Sequence, residues 1–456
     1  MSENPSKEAI ERRDFLRAGA AVGAIAALGT LDQTARAAQA KTAPRSSEFK
    51  VDPIKTVRVG FVGVGGMGLN HVRNLLEIDH VEIKAVCDID EGNVQRAQER
   101  IVQKGRPKPV AYSRGAEDFR RMCDVEELDL VYTATPWRWH VPVCVAAMET
   151  GKHAATEVPA ATTLEECWQL VETAERTKLH CVMMENCCYD SVELTILNMV
   201  RKGLLGELVH AECGYLHDLR ALKFGDKGEG LWRIAHSIAR NADLYPTHGL
   251  GPIAQCMNIN RGNKFEYLVS VGSQSRGLQN FAAKKYGPED KQAKQKYALS
   301  DVVTSILQTN QGQTIVVQHD TDTPRPYSRD VLVQGTKGLV RKYPDPKIYI
   351  EHRSPSHQWE SLSSYSPEFD HPLWSSLQEK SKGKGHGGMD FVEDYRLIQC
   401  LREGKPLDFD VYDAVAWSAV TPLSEQSIAK RGASVDFPDF TRGKWKTNPP
   451  LGIVTG

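Results

Sequence analysis

The sequence predicts an α/β fold class, with an N-terminal doubly wound parallel sheet and a C-terminal α+β domain built on a mainly antiparallel open sheet. Two patterns carry this prediction. Residues 55–187 alternate short apolar strands with helices, which is typical of a parallel sheet covered on both faces. Residues 188–456 contain alternating or β-branched segments separated by turns, which indicates antiparallel pairing, and they include helices that we expect to pack back. A chain of 456 residues also favours two domains over one.

The elements follow in order along the chain. In the first domain, strands are predicted over residues 57–62, 81–87, 109–112, 128–133, 153–156 and 181–184. A helix that packs at Gly68 continues over residues 71–76, and further helices are predicted over residues 90–103, 115–122, 141–150 and 164–177. A helix over residues 191–201 opens the second domain. In the second domain, the predicted strands cover residues 207–216, 266–274, 301–309, 314–319, 329–335 and 338–341, and helices cover 388–401 and 413–430. The glycine-rich stretch 383–388 is expected to be a loop that acts as a lid or an assembly contact.

The segment that organises the first domain joins its first strand to its first helix through Gly63, Gly65 and Gly68, spaced as G-x-G-x-x-G. Gly63 permits a tight turn, Gly65 lets the backbone approach a pyrophosphate, and Gly68 lets the helix pack against the strand. Asp88 ends the next strand, twenty residues after Gly68. A carboxylate there binds both ribose hydroxyls of NAD and repels the 2′-phosphate of NADP. This context predicts a Rossmann domain that binds NAD.

Other cofactor-binding candidates lie where further strands end, because ligands of doubly wound sheets bind at the carboxyl ends of the strands. With Met67 from the glycine motif, these candidates are Trp137, Arg138, Trp139, His140, Glu157, Val158 and Asn186. The two tryptophans have an alternative interpretation as core aromatics. Their place at a strand end favours stacking near the cofactor.

Composition excludes several classes of function. The formal net charge of −1 gives no reason to expect nucleic acid. Ten cysteines are scattered without metal-ligand spacing, so we expect free, buried thiols and no disulfide framework. His217 and Asp218 have no third ligand at useful spacing, so no metal is expected. An open sheet face needs cover, which allows a homo-oligomer without giving a number.

The N-terminal residues 1–40 have the pattern of a twin-arginine signal peptide. Arg12 and Arg13 precede an apolar, uncharged run over residues 18–31, and A-x-A cleavage sites follow at residues 35–37 and 38–40. The run is shorter than the roughly 20 residues that span a bilayer, so no stable membrane span is expected. A polar linker covers residues 41–54. We therefore expect the twin-arginine machinery to export the folded protein, with its NAD, to the periplasm or the medium.

The combined motifs resemble the Gfo/Idh/MocA oxidoreductase superfamily over nearly all of the chain that follows the signal. More specific strings resemble glycoside hydrolase family 109, whose characterised members are NAD-dependent α-N-acetylgalactosaminidases. These strings are WRWH at 137–140, EVP at 157–159, ENC at 185–187, YLHDLR at 215–220, YPTHGLGP at 245–252, MNINRG at 257–262 and GGMD at 387–390. Most superfamily dehydrogenases have Glu-Lys-Pro where Val158 stands here, and a D-x-x-x-H pattern that Leu244 breaks before His248. Family 109 shares the Glu-Val-Pro form, so this departure favours the narrower resemblance.

The resemblance implies hydrolysis of a terminal α-N-acetylgalactosamine on a small molecule or glycan by a redox cycle. NAD⁺ oxidises the C3 hydroxyl, a base removes the acidified C2 proton, and the glycosidic oxygen leaves. Water then adds, and NADH reduces C3 again, so the net reaction is hydrolysis. This chemistry requires groups that titrate near neutrality rather than the paired carboxylates of common glycosidases.

The resemblance also assigns roles to single residues. His248 is the first choice for proton transfer at C3 or C2, with Tyr245 in the same string, and Tyr327 is the second base candidate. Glu157 is expected to orient the histidine or the ribose. The predicted substrate-binding residues are Tyr215, Arg233, Tyr245, Pro246, Thr247, His248 and Tyr327. The alternative for His248 is a surface or core histidine, and for Tyr327 a packing role.

Two other functions stay open at this point. An exported NAD-dependent sugar or inositol dehydrogenase would release oxidised product and exchange its cofactor, although Val158 argues against it. A non-catalytic sugar-binding protein would keep NAD as a structural group. Net consumption of NAD⁺ separates the dehydrogenase from the glycosidase, and any turnover excludes the binding protein.

Overall fold

A computed structural model describes residue 49, residues 52–450 and residues 452–455. The first lobe contains a six-stranded parallel sheet with the order β3-β2-β1-β4-β5-β6. Its strands are β1 (Val57–Val62), β2 (Val81–Cys87), β3 (Val110–Tyr112), β4 (Leu130–Thr133), β5 (His153–Thr156) and β6 (Cys181–Met183). The helices of this part are α1 (Gly66–Leu75), α2 (Glu91–Gln103), α3 (Asp118–Val125), α4 (His140–Glu149), α5 (Leu164–Thr177) and α6 (Ser191–Arg201). The strand order reverses between β1 and β4, which opens the ligand crevice at their carboxyl ends.

Local sequence explains these elements. β4 and β5 are buried along their whole length, as expected for central strands of a sheet that is covered on both faces. Helix α5 begins with a capping box, in which the Thr163 side chain accepts from the Glu166 backbone N–H and the Glu166 side chain accepts in return. Helix α2 begins after Asp90, whose side chain accepts from two backbone N–H groups. These patterns explain why most predicted boundaries in this lobe agree with the structure.

The second lobe contains a nine-stranded sheet with the order β14-β13-β12-β11-β7-β10-β9-β8-β15. Its strands are β7 (Leu208–Leu216), β8 (Phe265–Gly272), β9 (Val303–Thr309), β10 (Thr314–Asp320), β11 (Leu332–Gly335), β12 (Gly338–Arg341), β13 (Lys347–Ile350), β14 (Glu360–Ser361) and β15 (Val435–Asp436). Strands β7 and β10 are parallel, and the other neighbouring pairs are antiparallel. The predicted fold class, including the mainly antiparallel second sheet, is therefore confirmed.

The helices of the second lobe surround this sheet and return to the first lobe. They are α7 (Arg220–Lys223), α8 (Gly230–Ala239), α9 (Thr247–Cys256), α10 (Gly277–Tyr286), α11 (Lys291–Lys294), α12 (Ser366–Phe369), α13 (Pro372–Ser381), α14 (Met389–Glu403), α15 (Val411–Ser418) and α16 (Val420–Ala429). Short 3₁₀ turns lie at Trp137–Trp139, Asn186–Tyr189, Leu362–Tyr365, Gly385–Gly388, Lys444–Lys446 and Gly452–Thr455. Helix α14 packs on α1, and α15 packs on α5, so the hydrophobic core continues from one lobe into the other.

Two differences from the sequence-based boundaries have physical reasons. The helix predicted over residues 413–430 is two helices, because Pro422 lacks the N–H that would bond the carbonyl oxygen of Ser418. The strand predicted from residue 329 begins only at Leu332, because Asp330 has a positive φ of 50°, which is incompatible with an extended strand. Neither difference changes the topology.

The cysteines are free and buried, as predicted. Within the described part of the chain, no helix is long and apolar enough to cross a membrane. The predicted twin-arginine signal and most of the predicted linker lie outside the described residues.

Candidate active site

The glycine turn after β1 has the shape that a dinucleotide requires. Gly63 has a positive φ of 81°, and a Cβ there would lie 2.7 Å from the carbonyl oxygen of Ala134. A Cβ on Gly68 would lie 1.8 Å from the carbonyl oxygen of Gly63, so only glycine allows α1 to pack this closely. A Cβ on Gly66 would meet no atom within 4 Å, so the first turn of α1 faces open space. Met67, half-buried, follows in that turn. The N-terminal amides of α1 can therefore bind phosphate oxygens.

Asp88 is fixed beside this turn. Its Oδ2 accepts a hydrogen bond from the Val64 N–H at 2.9 Å, and its Oδ1 accepts from the Asp90 N–H at 2.9 Å. Each carboxylate oxygen has a second lone pair that can accept from a ribose hydroxyl. The residues present therefore fit NAD, and the negative charge disfavours a 2′-phosphate.

The two tryptophans of the WRWH segment after β4 contact different parts of the molecule. Trp137 is buried and lies 5.8 Å from the Tyr245 ring, between centroids, so it connects the cofactor side with the predicted substrate residues. Trp139 instead packs edge-on against Phe119, with centroids 6.0 Å apart. Arg138 is exposed, and its guanidinium lies 5.5 Å from the Trp139 ring. The core interpretation that the sequence left open therefore applies to both tryptophans: Trp137 is a buried member of the hydrophobic core, and Trp139 is partly buried against it.

His140 is buried, and both its ring nitrogens bond backbone carbonyls. Nδ1 lies 2.8 Å from the carbonyl oxygen of Pro159, and Nε2 lies 2.8 Å from that of Thr135. Burial lowers the pKa of His140, although both carbonyls oppose this shift. The side chain thus ties together the two strand ends that carry Trp137 and Val158, and it can serve the cofactor site only by holding their backbone.

His248 forms a dyad with a buried carboxylate. Its Nδ1 lies 2.6 Å from Oε1 of Glu185, whose side chain is fully buried. Burial alone would raise the pKa of Glu185, but the charge and the hydrogen bond of His248 outweigh this effect and lower the pKa. Glu185 therefore remains ionised and fixes which nitrogen of His248 is free for the substrate.

The thiol of Cys187 lies beside this dyad, and the three side chains together have the chemistry of a metal site. Their geometry does not fit one. Two ligands of a tetrahedral zinc ion lie about 3.3 Å apart, given metal bonds of about 2.0–2.1 Å. The 2.6 Å separation between Glu185 and His248 is instead the length of a strong, charge-assisted hydrogen bond.

The predicted substrate-binding residues meet in one aromatic cluster. The Tyr215 ring lies 4.5 Å from Tyr245 and 5.5 Å from His248, and Tyr245 lies 4.8 Å from His248, measured between centroids. The Tyr215 hydroxyl lies 3.2 Å from Nδ1 of His217, and the His217 ring lies 5.0 Å from that of Tyr327. Burial raises the pKa of Tyr215 to about 12, so its hydroxyl keeps a proton that it can donate.

Arg233 joins this cluster to the cofactor side. Its guanidinium carbon lies 5.0 Å from the Tyr245 ring and 5.1 Å from the Trp137 ring. Glu229 neutralises it through an ion pair of 2.6 Å. Pro246 and Thr247, at the start of α9, are buried, so their side chains support the backbone between Tyr245 and His248.

Tyr327 reaches the cluster from the loop after β10. Its hydroxyl accepts from Nη1 of Arg329 at 3.1 Å, and Arg329 is held by Glu193 at 2.6 Å and Asp190 at 3.1 Å. Burial raises the pKa of Tyr327, and the charge of Arg329 acts in the opposite direction. A cationic donor at this hydroxyl stabilises the phenolate, as a tyrosine base requires.

Glu157 pairs with His71 and not with His248, which was one of the two partners that the sequence suggested. Its Oε1 lies 2.7 Å from Nε2 of His71 on α1, and its Oε2 accepts from the Val158 N–H at 3.3 Å. Because Glu185 bonds His248, the expectation that Glu157 orients that histidine is wrong, and the ribose alternative remains. Val158 itself is buried, so it offers the cleft no polar group.

The glycine-rich stretch before α14 reaches the first lobe. Nδ1 of the half-exposed His386 lies 2.8 Å from Oδ2 of Asp390. The buried Asp390 also accepts from Asn70 of α1 at 2.9 Å and from Asn186 at 2.7 Å. The hydrogen bond and charge of Asp390 raise the pKa of His386 despite partial burial. Asn186 thus helps to attach this turn across the cofactor crevice.

Five residues of this site were not among the sequence-based candidates: His71, Glu185, Arg329, His386 and Asp394. Glu185 was within reach of the sequence, because it follows β6 as Asp88 follows β2, and the strand-end rule applies equally to both. His71 and Asp394 form a pair that is 323 residues apart along the chain, so no local pattern could have identified them. His386 and Arg329 have partners nearby in the sequence, Asp390 and Tyr327, but the sequence contains no signal that these pairs lie at the cleft.

Comparisons with known proteins agree with this geometry. Residues 57–185 match the family profile of the Gfo/Idh/MocA oxidoreductase family, NAD-binding Rossmann fold. Residues 189–447 match that of the glycosyl hydrolase 109 C-terminal domain. Glycosyl hydrolase family 109 protein 1 of Shewanella sp. (strain MR-4) is 46% identical over 455 residues, which cover 98% of this chain and 99% of that protein. A protein of Shewanella oneidensis named alpha-N-acetylgalactosaminidase is 45% identical over 455 residues, with the same coverage.

Solved structures show the same fold at low sequence identity. Levoglucosan dehydrogenase, in complex with NADH and L-sorbose, has a TM-score of 0.66 and 18% identity and covers 85% of this chain and 100% of its own. Apo scyllo-inositol dehydrogenase from Lactobacillus casei has a TM-score of 0.60 and 13% identity and covers 85% of this chain and 99% of its own. The family follows from the profiles and the close relatives: the chain belongs to glycosyl hydrolase family 109 and contains an NAD-binding Rossmann domain.

Proposed function

We propose that this protein is an NAD-dependent glycosidase that hydrolyses terminal α-N-acetylgalactosamine. The observation that carries the proposal is the meeting of these groups in one cleft: the dyad of His248 and Glu185 and the tyrosine cluster lie next to the cofactor crevice, joined through Trp137 and Arg233. The choice of sugar rests on the relative named alpha-N-acetylgalactosaminidase.

The side chains have complementary proton-transfer roles in this proposal. Bound NAD⁺ would accept a hydride from C3 of the sugar and later return it. His248, with Nδ1 engaged by Glu185, takes the proton from the C3 hydroxyl through Nε2. Tyr327, with Arg329 on its hydroxyl, is the second base and removes the proton on C2. Val158 leaves no lysine to compete for the C3 hydroxyl.

His386 has the properties of the acid that the leaving group needs. It is half-exposed, its Nδ1 is held by Asp390, and its raised pKa favours a proton on the ring at neutral pH. The charge of Glu157 contributes to this raised pKa, and the charge of His386 helps to lower the pKa of His217, which supports a position for His386 at the cleft. Protonation of the glycosidic oxygen through Nε2, and later deprotonation of water, would complete the cycle.

The test uses the purified protein with p-nitrophenyl α-N-acetylgalactosaminide in deuterated water. We expect nitrophenol release, deuterium at C2 of the sugar product and no net formation of NADH. The His248→Ala variant should lose turnover while keeping its melting temperature. Accumulation of NADH on a free sugar, without nitrophenol release, would instead identify the exported sugar or inositol dehydrogenase. Undiminished turnover of His248→Ala would refute the role of the histidine.

We also propose that the twin-arginine machinery exports the protein to the periplasm or the medium and that copies of the chain associate. Support for export is the sequence of residues 1–40. Support for association is an exposed apolar face of the second sheet, where Tyr267, Val271 and Ile306 point to the same side. Light scattering of the purified protein tests association, and a monomer at micromolar concentration would contradict it.

A further inference from the structure

His71 is held between two carboxylates from the two lobes. It lies on α1, three residues after Gly68, and its side chain is almost completely buried. Nε2 lies 2.7 Å from Oε1 of Glu157, and Nδ1 lies 2.9 Å from Oδ2 and 3.0 Å from Oδ1 of Asp394. Asp394 belongs to α14 of the second lobe and is fully buried. The imidazole therefore bridges a residue of the candidate site and a residue of the core.

This arrangement defines the charge of the ring. A neutral imidazole has one donor and one acceptor, whereas two ionised carboxylates both require a donor. Burial alone would lower the pKa of His71, but the charges and hydrogen bonds of Asp394 and Glu157 outweigh it and raise the pKa well above its usual value. The Tyr132 hydroxyl lies 3.1 Å from Nδ1 and can share the same hydrogen. Burial raises the pKa of Asp394, although the charge and hydrogen bond of His71 and the hydrogen bond of Asn74 oppose this shift. His71 is thus an imidazolium that donates one ring N–H to each carboxyl group.

The other titratable groups around this ring are compatible with that charge. They are Tyr132 on β4, Asp390, Glu393 and Asp394 on α14, Glu157 after β5, and His386 before α14. Among the described residues, neither carboxyl oxygen of Glu393 has a hydrogen-bond partner. Burial raises the pKa of Glu393 well above its usual value, so it stays protonated and adds no negative charge.

We propose that His71 and Asp394 are positioning residues that hold the Glu157 carboxylate in one orientation at the cleft, an inference that rests on the proposed function. His71 binds Oε1 of Glu157, while the Val158 N–H binds Oε2. The carboxylate is therefore fixed at both oxygens and keeps lone pairs for a ribose or sugar hydroxyl.

The inference extends to the interface between α1 and α14. Asp390 and Asp394, one helical turn apart, accept hydrogen bonds from Asn70 and Asn74, which are also one turn apart, on either side of His71. Helix α14 thus binds the turn that carries His386 through Asp390, and it binds His71, the partner of Glu157, through Asp394. Residues of both lobes therefore hold the charged groups around Glu157.

The first test compares pH profiles of the His71→Gln and Asp394→Asn variants with the original protein. In His71→Gln, the alkaline limb of kcat/KM should move to higher pH, because glutamine has no ring proton to lose. We expect kcat to fall at least 10-fold and KM to change less than 3-fold. In Asp394→Asn, the alkaline limb should move to lower pH, because His71 loses its proton more easily.

The matched control is His180→Gln, since His180 is also a buried histidine and its ring neighbours are Phe49 and His153. It should lose stability without any shift of either limb. If the rate of His71→Gln fell by a constant factor with both limbs unchanged, His71 would have only a structural role and the proposal would fail.

The second test needs no activity. Nitrogen-15 spectra of the histidine-labelled protein should show both ring nitrogens of His71 protonated from pH 6 to pH 8, and in Asp394→Asn the ring should titrate within that range. A neutral His71 at pH 7 in the original protein would overturn the proposal, whether or not His71→Gln folds. Because this measurement uses no substrate, its result is independent of whether the glycosidase assay succeeds.

Discussion

The substitution Glu185→Gln tests the acid–base dyad directly. It keeps the size of the side chain and removes the charge that pairs with Nδ1 of His248 at 2.6 Å. A hydrogen bond to a charged group contributes about 1.5–3 kcal/mol. Since 1.36 kcal/mol corresponds to a tenfold change in rate, kcat should fall by roughly 10- to 150-fold. KM should change little, because the fully buried Glu185 reaches the substrate only through His248.

Nitrophenol release at saturating substrate measures this effect, with the melting temperature recorded for each variant. The matched control is Asp408→Asn, which also removes a buried carboxylate but one that pairs with Arg396 and Tyr189. The control should lose stability and keep kcat. If Glu185→Gln retained full kcat, or if both variants lost activity in proportion to stability, the assignment of Glu185 to the dyad would be refuted.

Three further predictions address other parts of the chain. Tyr327→Phe should lower kcat by about 10²-fold or more with little loss of stability, because the ring remains and only the hydroxyl bonded to Arg329 is lost. A kcat within about threefold of the original value would mean that Tyr327 has only a packing role. Burial raises the pKa of Asp243 to about 7, so the stability that its protonated form contributes is fully present below its ordinary pKa of about 4 and is lost as the pH rises towards 7. Asp243→Asn should therefore lose less stability than the original protein between pH 5 and pH 8, as measured by melting curves. Replacing Arg12 and Arg13 by lysine should leave the protein in the cytoplasm, and unchanged export in cell fractions would contradict the twin-arginine prediction.

The fold was predictable because its information is local. Strands β1, β2 and β5 have the predicted boundaries, since each is a short apolar run bounded by polar or glycine residues. The turn at Gly63 could be located because no residue with a Cβ fits there. Where the boundaries were wrong, as at Ala419, a proline inside an apolar helical pattern determined the break.

The sequence predicted which residues form the candidate site better than it predicted which of them pair with each other. Tyr215, Tyr245 and His248 were selected by resemblance, and the structure brings their rings within 5.5 Å of one another. Glu157 was expected to orient either His248 or the ribose, whereas the carboxylate that binds His248 is that of Glu185. Both acids follow strands of the same sheet, and the sequence contains no signal for which of them points towards α9 and which towards α1.

The histidines at the cleft share one arrangement that bears on the choice between glycosidase and dehydrogenase. His248, His386 and His71 each have Nδ1 bonded to a carboxylate whose side chain is fully buried. The exposed fraction of the histidine side chains is 13%, 51% and 1% respectively, so two of them can meet a substrate and the third can act only through Glu157.

The difference in exposure among these three histidines fits a reaction in which several protons move while no net redox change occurs. A dehydrogenase needs one base at one hydroxyl, usually with a lysine at the position of Val158. Here the lysine is absent, and buried carboxylates orient three separate imidazoles. This arrangement supports the proposed glycosidase for a physical reason that is independent of sequence identity: elimination and addition at the sugar require an acid and bases at different atoms, and the two partly exposed histidines of the cleft are separate candidates for these roles.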